Sequence, residues 1–225
     1  MLLKNRKLIV TGGPTREWLD PVRFISNPST GKMGAALAEA GAVRCAETVF
    51  IHGAIETNLY KDKPFRELSV DTTQEMLSAV KSELVPYSLL IMAAAPADYT
   101  PVSVSPVKIK KQEGEMQLLL KKTPDILKNI SEGVKKGEFS HIFTVGFAAE
   151  TNDVEKYAIG KLKDKNLDMI CLNDVSQNGA GFAVDTNIVV IYAKDGYRLQ
   201  MPLLSKRDTA ERIFDSIEEQ MKKLP

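Results

Sequence analysis

The stretch KLIVTGGPTR, Lys7 to Arg16, places a short apolar run directly before a turn of glycine and proline. An apolar run of this length is typical of a buried strand, and a helical pattern follows it at Thr30–Gly41. Ser88–Ala95, SLLIMAAA, is a continuous apolar run of the kind that helices cover on both faces of a sheet. The alternation continues, with further strands predicted at Thr48–His52, Phe65–Val70, Ile142–Phe147 and Met169–Leu172, and further helices after a capping box at Thr72, at Pro124–Lys136 and at Asp153–Lys163. Such repetition predicts an α/β fold with a doubly wound, mostly parallel sheet.

Two segments depart from this alternation. Asn187–Ala193 and Tyr197–Pro202 flank Lys194-Asp195-Gly196, which predicts a C-terminal β-hairpin before a last helix. Pro96–Glu115 holds three prolines and then a polar tract rich in lysine. Connections this long in a compact domain are usually lids or binding loops, so we predict a lid loop over about residues 96–115.

Length and composition are those of an ordinary globular protein. The 225 residues, 44% apolar and 26% charged, fit a single domain over residues 1–225. Thirty basic and 29 acidic residues give a net charge of +1, which argues against binding to nucleic acid or a membrane through bulk charge. The two cysteines are far apart, and neither a signal-peptide pattern nor an apolar run of the ~20 residues of a membrane span is present. These features predict a cytoplasmic protein.

Small and polar residues follow the predicted strands, at the edge where open α/β sheets bind ligands. They are Gly12–Arg16, Pro96–Tyr99, Ala148–Asn152 and Asn173–Asp174. The longest connection at this edge ends in Ser26–Gly31, directly before a helix whose free N–H groups and dipole favour a phosphate or another anion. Arg23 adds a guanidinium for a charged contact. The alternative is that Asn27, Ser29 and Thr30 only cap the helix.

Neither common nucleotide-binding glycine motif is present. Ser26 stands where a Walker loop has its leading glycine, and Met33 stands where that loop has Ser or Thr. In TGGPTR, Arg16 occupies the place of the third glycine of a dinucleotide fingerprint. Tyr157 and Lys161 match the YxxxK spacing of short-chain reductases, but the tyrosine lies on an apolar stripe and is predicted to belong to the core. An NAD(P)-dependent reductase of the short-chain type stays open as an alternative.

Several lysines are candidates for a polyphosphate site. Lys161 and Lys165 are one helical turn apart on the same face, and they either face solvent or point towards a bound triphosphate. Lys108 lies in the predicted lid, where a lysine that closes onto a polyphosphate would stabilise the charge that develops on the leaving group. Its alternative is a solvated charge.

Six sequence motifs occur in one order over nearly the whole chain. They are GPTREWLDPVRFISNPSTGKMG, AAAPADYTP, KIKK, KTPDIL, GFAAETND and LNDVSQNGAGF. In these motifs the chain resembles phosphopantothenoylcysteine synthetase, the synthetase half of the bifunctional bacterial coenzyme A biosynthesis protein. The resemblance implies a Rossmann-like fold and a CTP-dependent ligase that works as a homodimer. In that reaction the carboxylate of 4′-phosphopantothenate attacks the α-phosphate of CTP, pyrophosphate leaves, and the amine of L-cysteine displaces CMP from the acyl-cytidylate.

The resemblance also implies roles for individual residues. Asn27 matches the asparagine that contacts the acyl intermediate, Arg23 matches the arginine that handles it, and Lys108 matches the lid lysine that is important for activation. The contacts with CTP are expected from Met92, Ala93, Ala94, Asp98, Lys108, Pro124, Asp125, Ile126, Leu127, Phe147, Lys161 and Lys165. Mg²⁺ is expected with CTP, without assigned protein ligands, and no flavin is expected in this chain.

Two departures from the family pattern concern the nucleotide. Pro96 interrupts the AAxADY motif, and Met92 stands where a smaller residue is common. ATP is the alternative nucleotide, since related eukaryotic enzymes prefer it. A non-catalytic nucleotide-binding domain, in which the lid is a docking arm, is the remaining alternative function.

Overall fold

The computed structural model describes residues 2–111, 113–150, 154–174 and 184–223. Its elements in chain order are β1 Lys7–Gly12, β2 Arg16–Trp18, β3 Phe24–Ser26, α1 Lys32–Ala42, β4 Glu47–His52, a 3₁₀ turn Thr57–Leu59, β5 Arg66–Ser69, α2 Thr73–Glu83, β6 Leu89–Met92, β7 Tyr99–Pro101, β8 Leu120–Lys122, α3 Ile126–Lys135, β9 Phe143–Glu150, α4 Val154–Asp164, β10 Met169–Asp174, β11 Thr186–Asn187, β12 Val189–Ala193, β13 Arg198–Gln200, β14 Leu204–Ser205 and α5 Lys206–Met221.

An eight-stranded sheet forms the centre, in the order β13-β12-β10-β9-β6-β1-β4-β5. Six neighbouring strands run parallel, namely β5, β4, β1, β6, β9 and β10 in the order of the sheet. Strands β12 and β13 continue the sheet in antiparallel orientation as a hairpin. When only the parallel strands are numbered along the chain, their order in the sheet is 3-2-1-4-5-6, which is the strand order of the Rossmann fold. The direction in which strands are added to the sheet reverses between β1 and β6. The predicted α/β fold, with its mostly parallel sheet and C-terminal hairpin, is confirmed.

The central strands are apolar because both faces of the sheet are covered. Leu8 and Val10 of β1 pack in one core cluster with residues of α1 and α5. Ile9, between them, belongs to a second cluster with residues of α2 and α3 on the opposite face. Successive side chains of a strand point to opposite faces, so an uninterrupted apolar run is what a doubly covered strand requires.

Helix α1 lies very close to β1. Gly31, at its N-cap, has a φ of 76° and leaves no side chain at the helix start. A Cβ atom on Gly34 would lie only 2.7 Å from Cα of Gly12. The two facing glycines therefore let the backbones touch, and the N-terminus of α1 is held at the carboxyl end of β1.

The prediction that Tyr157 belongs to the core is wrong, since the residue is 55% exposed. Ala158 and Leu162 form the buried stripe of α4. Consecutive helical residues are rotated by about 100°, so the tyrosine, one position before Ala158, points away from the sheet. None of the helices in the described ranges is long and apolar enough to cross a membrane.

Candidate functional site

A cavity of about 550 Å³ opens at the carboxyl ends of β6 and β9, beside the point where the strand order reverses. Nine residues of the expected CTP contacts line it, namely Met92, Ala94, Asp98, Pro124, Asp125, Ile126, Leu127, Phe147 and Lys165. Its other lining residues are Pro96, Ala97, Tyr99, Lys122 and Thr123. Segments distant in the sequence thus meet at the edge where this fold binds ligands.

Two threonines, the buried Thr15 and the partly buried Thr123, hold the loop that carries Asp98. The N–H of Ala97 donates to Oγ1 of Thr15 at 2.9 Å, and its carbonyl accepts from Oγ1 of Thr123 at 2.7 Å. The N–H of Thr123 donates to the carbonyl of Asp98 at 3.0 Å. Because both sides of the Ala97 backbone are bonded, this wall of the cavity is fixed by β1, α3 and the loops next to them.

The start of α3 and Lys165 lie at one end of the cavity. Asp125 caps the helix, its side chain accepting from the N–H of Lys128 at 3.1 Å. The ammonium group of Lys165 lies 3.0 Å from Oδ2 of the same aspartate. A helix N-terminus and a lysine together attract an anion such as a phosphate group. Lys161 lies on α4 one turn before Lys165 and is outside the lining of the cavity.

Asn27 reaches across the crevice between β1 and β6. Its Nδ2 donates to the carbonyl of Pro96 at 2.9 Å and to that of Ala95 at 3.3 Å. The N-cap of α1 is Gly31, which has no side-chain cap. For Asn27 the capping alternative is therefore wrong, and its side chain instead bonds the carbonyl of Pro96, a residue that lines the cavity.

Arg23 and Lys108 lie near each other but outside the cavity lining. Nη2 of Arg23 donates to Asp20 at 2.6 Å and to the lid carbonyl of Ile109 at 2.8 Å. Lys108 directly precedes Ile109 and is exposed. The structure therefore places the predicted arginine and the predicted lid lysine on one side of the crevice.

A second, smaller cavity of about 60 Å³ lies between the N-terminus of α1 and the ends of β9 and β10. Ala93, an expected CTP contact, lines this cavity rather than the first, and Phe147 lines both. Lys206, only 8% exposed, also lines it, and its ammonium donates to the carbonyl of Thr186 and to Oδ1 of Asn187, each at 3.2 Å. Burial lowers the pKa of Lys206, against the opposing charge of Asp185.

Lys206 was missed by the sequence reasoning, although a signal for it exists. It is the first residue of α5, four positions before the buried Ala210, so it occupies the apolar stripe of that helix. A cation at a helix N-terminus opposes the helix dipole, and a lysine is seldom buried. A lysine in this position therefore indicates a local requirement for positive charge.

Neither the thiols nor a protein metal cluster contributes to the cavity. Burial raises the pKa of the Cys45 thiol to about 12 and that of Cys171 even further, so both are poor nucleophiles. Within the described ranges, no group of three or more His, Cys, Asp or Glu side chains is placed to hold a metal ion. Asp98 and Asp125 are the carboxylates among the lining residues.

Sequence comparisons identify relatives over nearly the whole chain. Residues 3–221 match the family described as the DNA/pantothenate metabolism flavoprotein C-terminal domain. The coenzyme A biosynthesis bifunctional protein CoaBC of Bacillus subtilis is 46% identical over 216 residues, which are 96% of this chain and 52% of that protein. The CoaBC protein of Escherichia coli is 42% identical over 219 residues, with coverages of 96% and 52%. The chain therefore spans about half the length of the curated relatives it matches.

Solved structures have the same fold. The crystal structure of the C-terminal domain of CoaBC matches with a TM-score of 0.79 and 36% identity, over 99% of both chains. A Cab2 mutant in complex with phosphopantothenate-cysteine matches with a TM-score of 0.75 over 97% of this chain and 87% of that chain, and at 19% identity it shows likeness of fold alone. These matches do not favour the short-chain reductase alternative. The resemblance carried by the six motifs is confirmed, and the chain belongs to the family of the DNA/pantothenate metabolism flavoprotein C-terminal domain.

Proposed function

We propose that this chain is a phosphopantothenate–cysteine ligase of coenzyme A biosynthesis that uses CTP to activate its acid substrate. The observation that carries the proposal is the cavity at the crevice, which nine of the expected nucleotide contacts line and at whose rim Asn27 lies. Relatives that cover nearly the whole chain are named for coenzyme A biosynthesis.

In the first step the nucleotide occupies the cavity with its triphosphate towards α3. The N-terminus of that helix and Lys165 supply positive charge there. The carboxylate of 4′-phosphopantothenate attacks the α-phosphate, the bond to the β-phosphate breaks, and pyrophosphate leaves with its electron pair. Lys108, which the lid carries, stabilises the negative charge that develops on pyrophosphate.

In the second step Asn27 and Arg23 hold the acyl-cytidylate while L-cysteine binds. The cysteine amine attacks the acyl carbon, loses a proton, and expels CMP, which gives 4′-phosphopantothenoylcysteine. The position of Asn27 supports this role, because its amide already donates to the carbonyls of Ala95 and Pro96 at the cavity rim. With Nδ2 bonded to two backbone carbonyls the side chain is held in place, and its Oδ1 is oriented to accept from an N–H or O–H group of the intermediate.

Mg²⁺ is part of the proposal as a companion of the nucleotide. The cavity offers the carboxylates of Asp98 and Asp125, and the second of these is already paired with Lys165. Such a donor set fits an ion that phosphate oxygens and water hold for the most part, as is usual for Mg²⁺ with nucleotides. The ion would neutralise phosphate charge, while Lys165 and the start of α3 orient the chain of phosphates.

Pyrophosphate release tests the ligase and its nucleotide together. Purified protein is incubated with 4′-phosphopantothenate, Mg²⁺ and either CTP or ATP, with and without L-cysteine. We expect release with CTP, and sustained turnover only when cysteine is present. Faster release with ATP would correct the nucleotide. The absence of release with both nucleotides, from protein shown to be folded, would reject the ligase in favour of a non-catalytic nucleotide-binding domain.

The proposal includes a homodimer, because apolar side chains are exposed on and next to the paired strands β2–β3 and β7–β8. Phe24 on β3 is 40% exposed, Tyr99 on β7 is 48% exposed, and Leu119, directly before β8, is 77% exposed. An exposed apolar surface of this kind usually marks an interface.

A cytoplasmic location is also part of the proposal, since Cys45 and Cys171 are both free thiols.

Analytical ultracentrifugation of matched variants tests the dimer. Leu119→Lys is expected to give a monomer, because it places a charge in the exposed apolar surface. Val43→Lys is the control, since Val43 is also 77% exposed but follows α1, away from those strands. A wild-type monomer, or a Leu119→Lys variant that stays dimeric, would contradict the proposed interface.

A further inference from the structure

Asp20 is a buried carboxylate in the turn between β2 and β3, and its side chain has no solvent exposure. Its Oδ2 accepts from Nε and Nη2 of Arg23, at 3.0 and 2.6 Å. Its Oδ1 accepts from the N–H groups of Val22 and Arg23, each at 2.9 Å. These four hydrogen bonds hold the side chain of Arg23 against the carboxylate.

The same pair of side chains holds the lid. The N–H of Ile109 donates to Oδ2 of Asp20 at 3.1 Å, and the carbonyl of Ile109 accepts from Nη2 of Arg23 at 2.8 Å. A second tether joins the N–H of Ser105 to the carbonyl of Leu19 at 2.9 Å. The backbone N–H and carbonyl of Ile109, which directly follows Lys108, thus both hold the lid in place.

The charge of Asp20 is what permits this arrangement. Hydrogen bonds, first from the Arg23 side chain and then from the N–H groups of Val22 and Ile109, hold the pKa of Asp20 far below its ordinary value, although burial opposes them. The carboxylate therefore stays ionised at neutral pH and accepts from all its donors. An amide in its place would turn one of its two acceptor atoms into a donor facing other donors.

We propose that Asp20 is a positioning residue that ties Arg23 to the lid and thereby sets the place of Lys108. The inference rests on the proposed function, in which Lys108 serves the activation step and Arg23 serves the acyl intermediate. One carboxylate then aligns residues of both steps. Since a displacement of about 1 Å costs on the order of 100-fold in rate, loss of Asp20 lowers kcat for pyrophosphate release without removing any group that touches the nucleotide.

Three variants separate this role from a general effect on folding. Asp20→Asn removes the charge, and Ile109→Pro removes the lid N–H while it leaves the Asp20–Arg23 pair intact. Glu115→Pro is the control, because it places a proline in the same lid at an exposed residue. The N–H of Glu115 donates to no acceptor among the described residues. Circular dichroism melting first establishes that each variant is folded. If Asp20→Asn does not fold, Ile109→Pro carries the test.

Hydrogen exchange and kinetics then decide between the outcomes. We expect exchange in the peptide covering residues 105–111 to be at least tenfold faster, and kcat for pyrophosphate release at least tenfold lower, in Asp20→Asn and Ile109→Pro, with Glu115→Pro unchanged. In a Lys108→Gln background, Asp20→Asn should lower kcat little further. Unchanged exchange, unchanged kcat, or additive effects with Lys108→Gln would overturn the positioning role.

Failure of the proposed function has a different signature. Wild-type protein that is folded but releases no pyrophosphate with CTP or ATP would overturn the ligase and the positioning role together. Protection of residues 105–111 that depends on Asp20 would still show that the carboxylate fastens the lid. A ligase with normal activity and no such protection would overturn the inference alone.

Discussion

Replacing Gly34 by alanine tests whether α1 must touch β1. The new Cβ would lie 2.7 Å from Cα of Gly12, 2.9 Å from the carbonyl oxygen of Thr11 and 3.1 Å from Cε2 of Phe50. The two shorter contacts are with backbone atoms, which have no rotamer to escape into. Forcing a methyl group into a packed interior costs about 1–3 kcal/mol, whereas alanine gains about 1 kcal/mol over glycine in a helix. The expected net destabilisation is about 0–2 kcal/mol, which is about 1–3 kcal/mol worse than a glycine-to-alanine change at an unhindered helical position.

Gly160 provides the matched control, because it also lies within a helix but a Cβ added there meets no atom within 4 Å. Gly160→Ala should therefore stabilise the protein by about 0.5–1 kcal/mol. Urea unfolding followed by circular dichroism measures both changes, and for a chain of this size 1 kcal/mol shifts the Tm by about 2–4 °C. Displacement of α1 should also slow pyrophosphate release in Gly34→Ala alone. A Gly34→Ala variant as stable as Gly160→Ala would refute the reasoning.

Three further predictions follow from burial and charge. In native protein at pH 8, iodoacetamide should modify Cys45 and Cys171 far more slowly than in urea, because burial raises the pKa of both thiols. Since the thiols then ionise only in the unfolded chain, the free energy of unfolding should fall as the pH rises above about 8.5. An increase in the free energy of unfolding over this range would contradict the prediction. Phe214→Ala empties a fully buried site and should cost about 3–5 kcal/mol in urea unfolding, so a loss under 1 kcal/mol would be inconsistent. Lys165→Gln should raise the KM for the nucleotide about tenfold in the pyrophosphate assay, whereas Lys163→Gln, at an exposed lysine outside the cavity lining, should not.

The parallel sheet was predictable because burial on both faces leaves a local signature. The apolar run of Lys7–Gly12 and the run that contains Leu89–Met92 have few polar residues, and β-hairpin chemistry at Lys194-Asp195-Gly196 is equally local. Open α/β sheets bind ligands at the carboxyl ends of their strands, which predicts the position of the cavity, since strand ends that lie far apart in sequence become neighbours in this topology. Much of the cavity lining follows from these two steps and from the matched family motifs.

The rest depends on contacts that sequence spacing does not encode. Asp20 gave no signal, because its significance comes from a hydrogen bond to Ile109 in a distant loop. Tyr157 was misplaced because a one-residue error in the phase of a helical stripe moves a side chain from core to solvent. Lys206 is the exception, because its place on the apolar stripe of α5 was visible in the sequence; it was overlooked since charged residues at helix starts usually face water.

The elements that hold the lid and the proposed dimer interface lie on the same strands, but the two have separable consequences. The turn between β2 and β3 carries Asp20, β3 carries the exposed Phe24, and β8 begins at Leu120, shortly after the lid. A partner subunit on this face would therefore press on the elements that hold the lid. Leu119→Lys should then lose both dimer and activity, whereas Asp20→Asn should lose activity and stay dimeric in ultracentrifugation. A monomeric Leu119→Lys variant with full activity would show that Asp20 holds the lid without help from the interface.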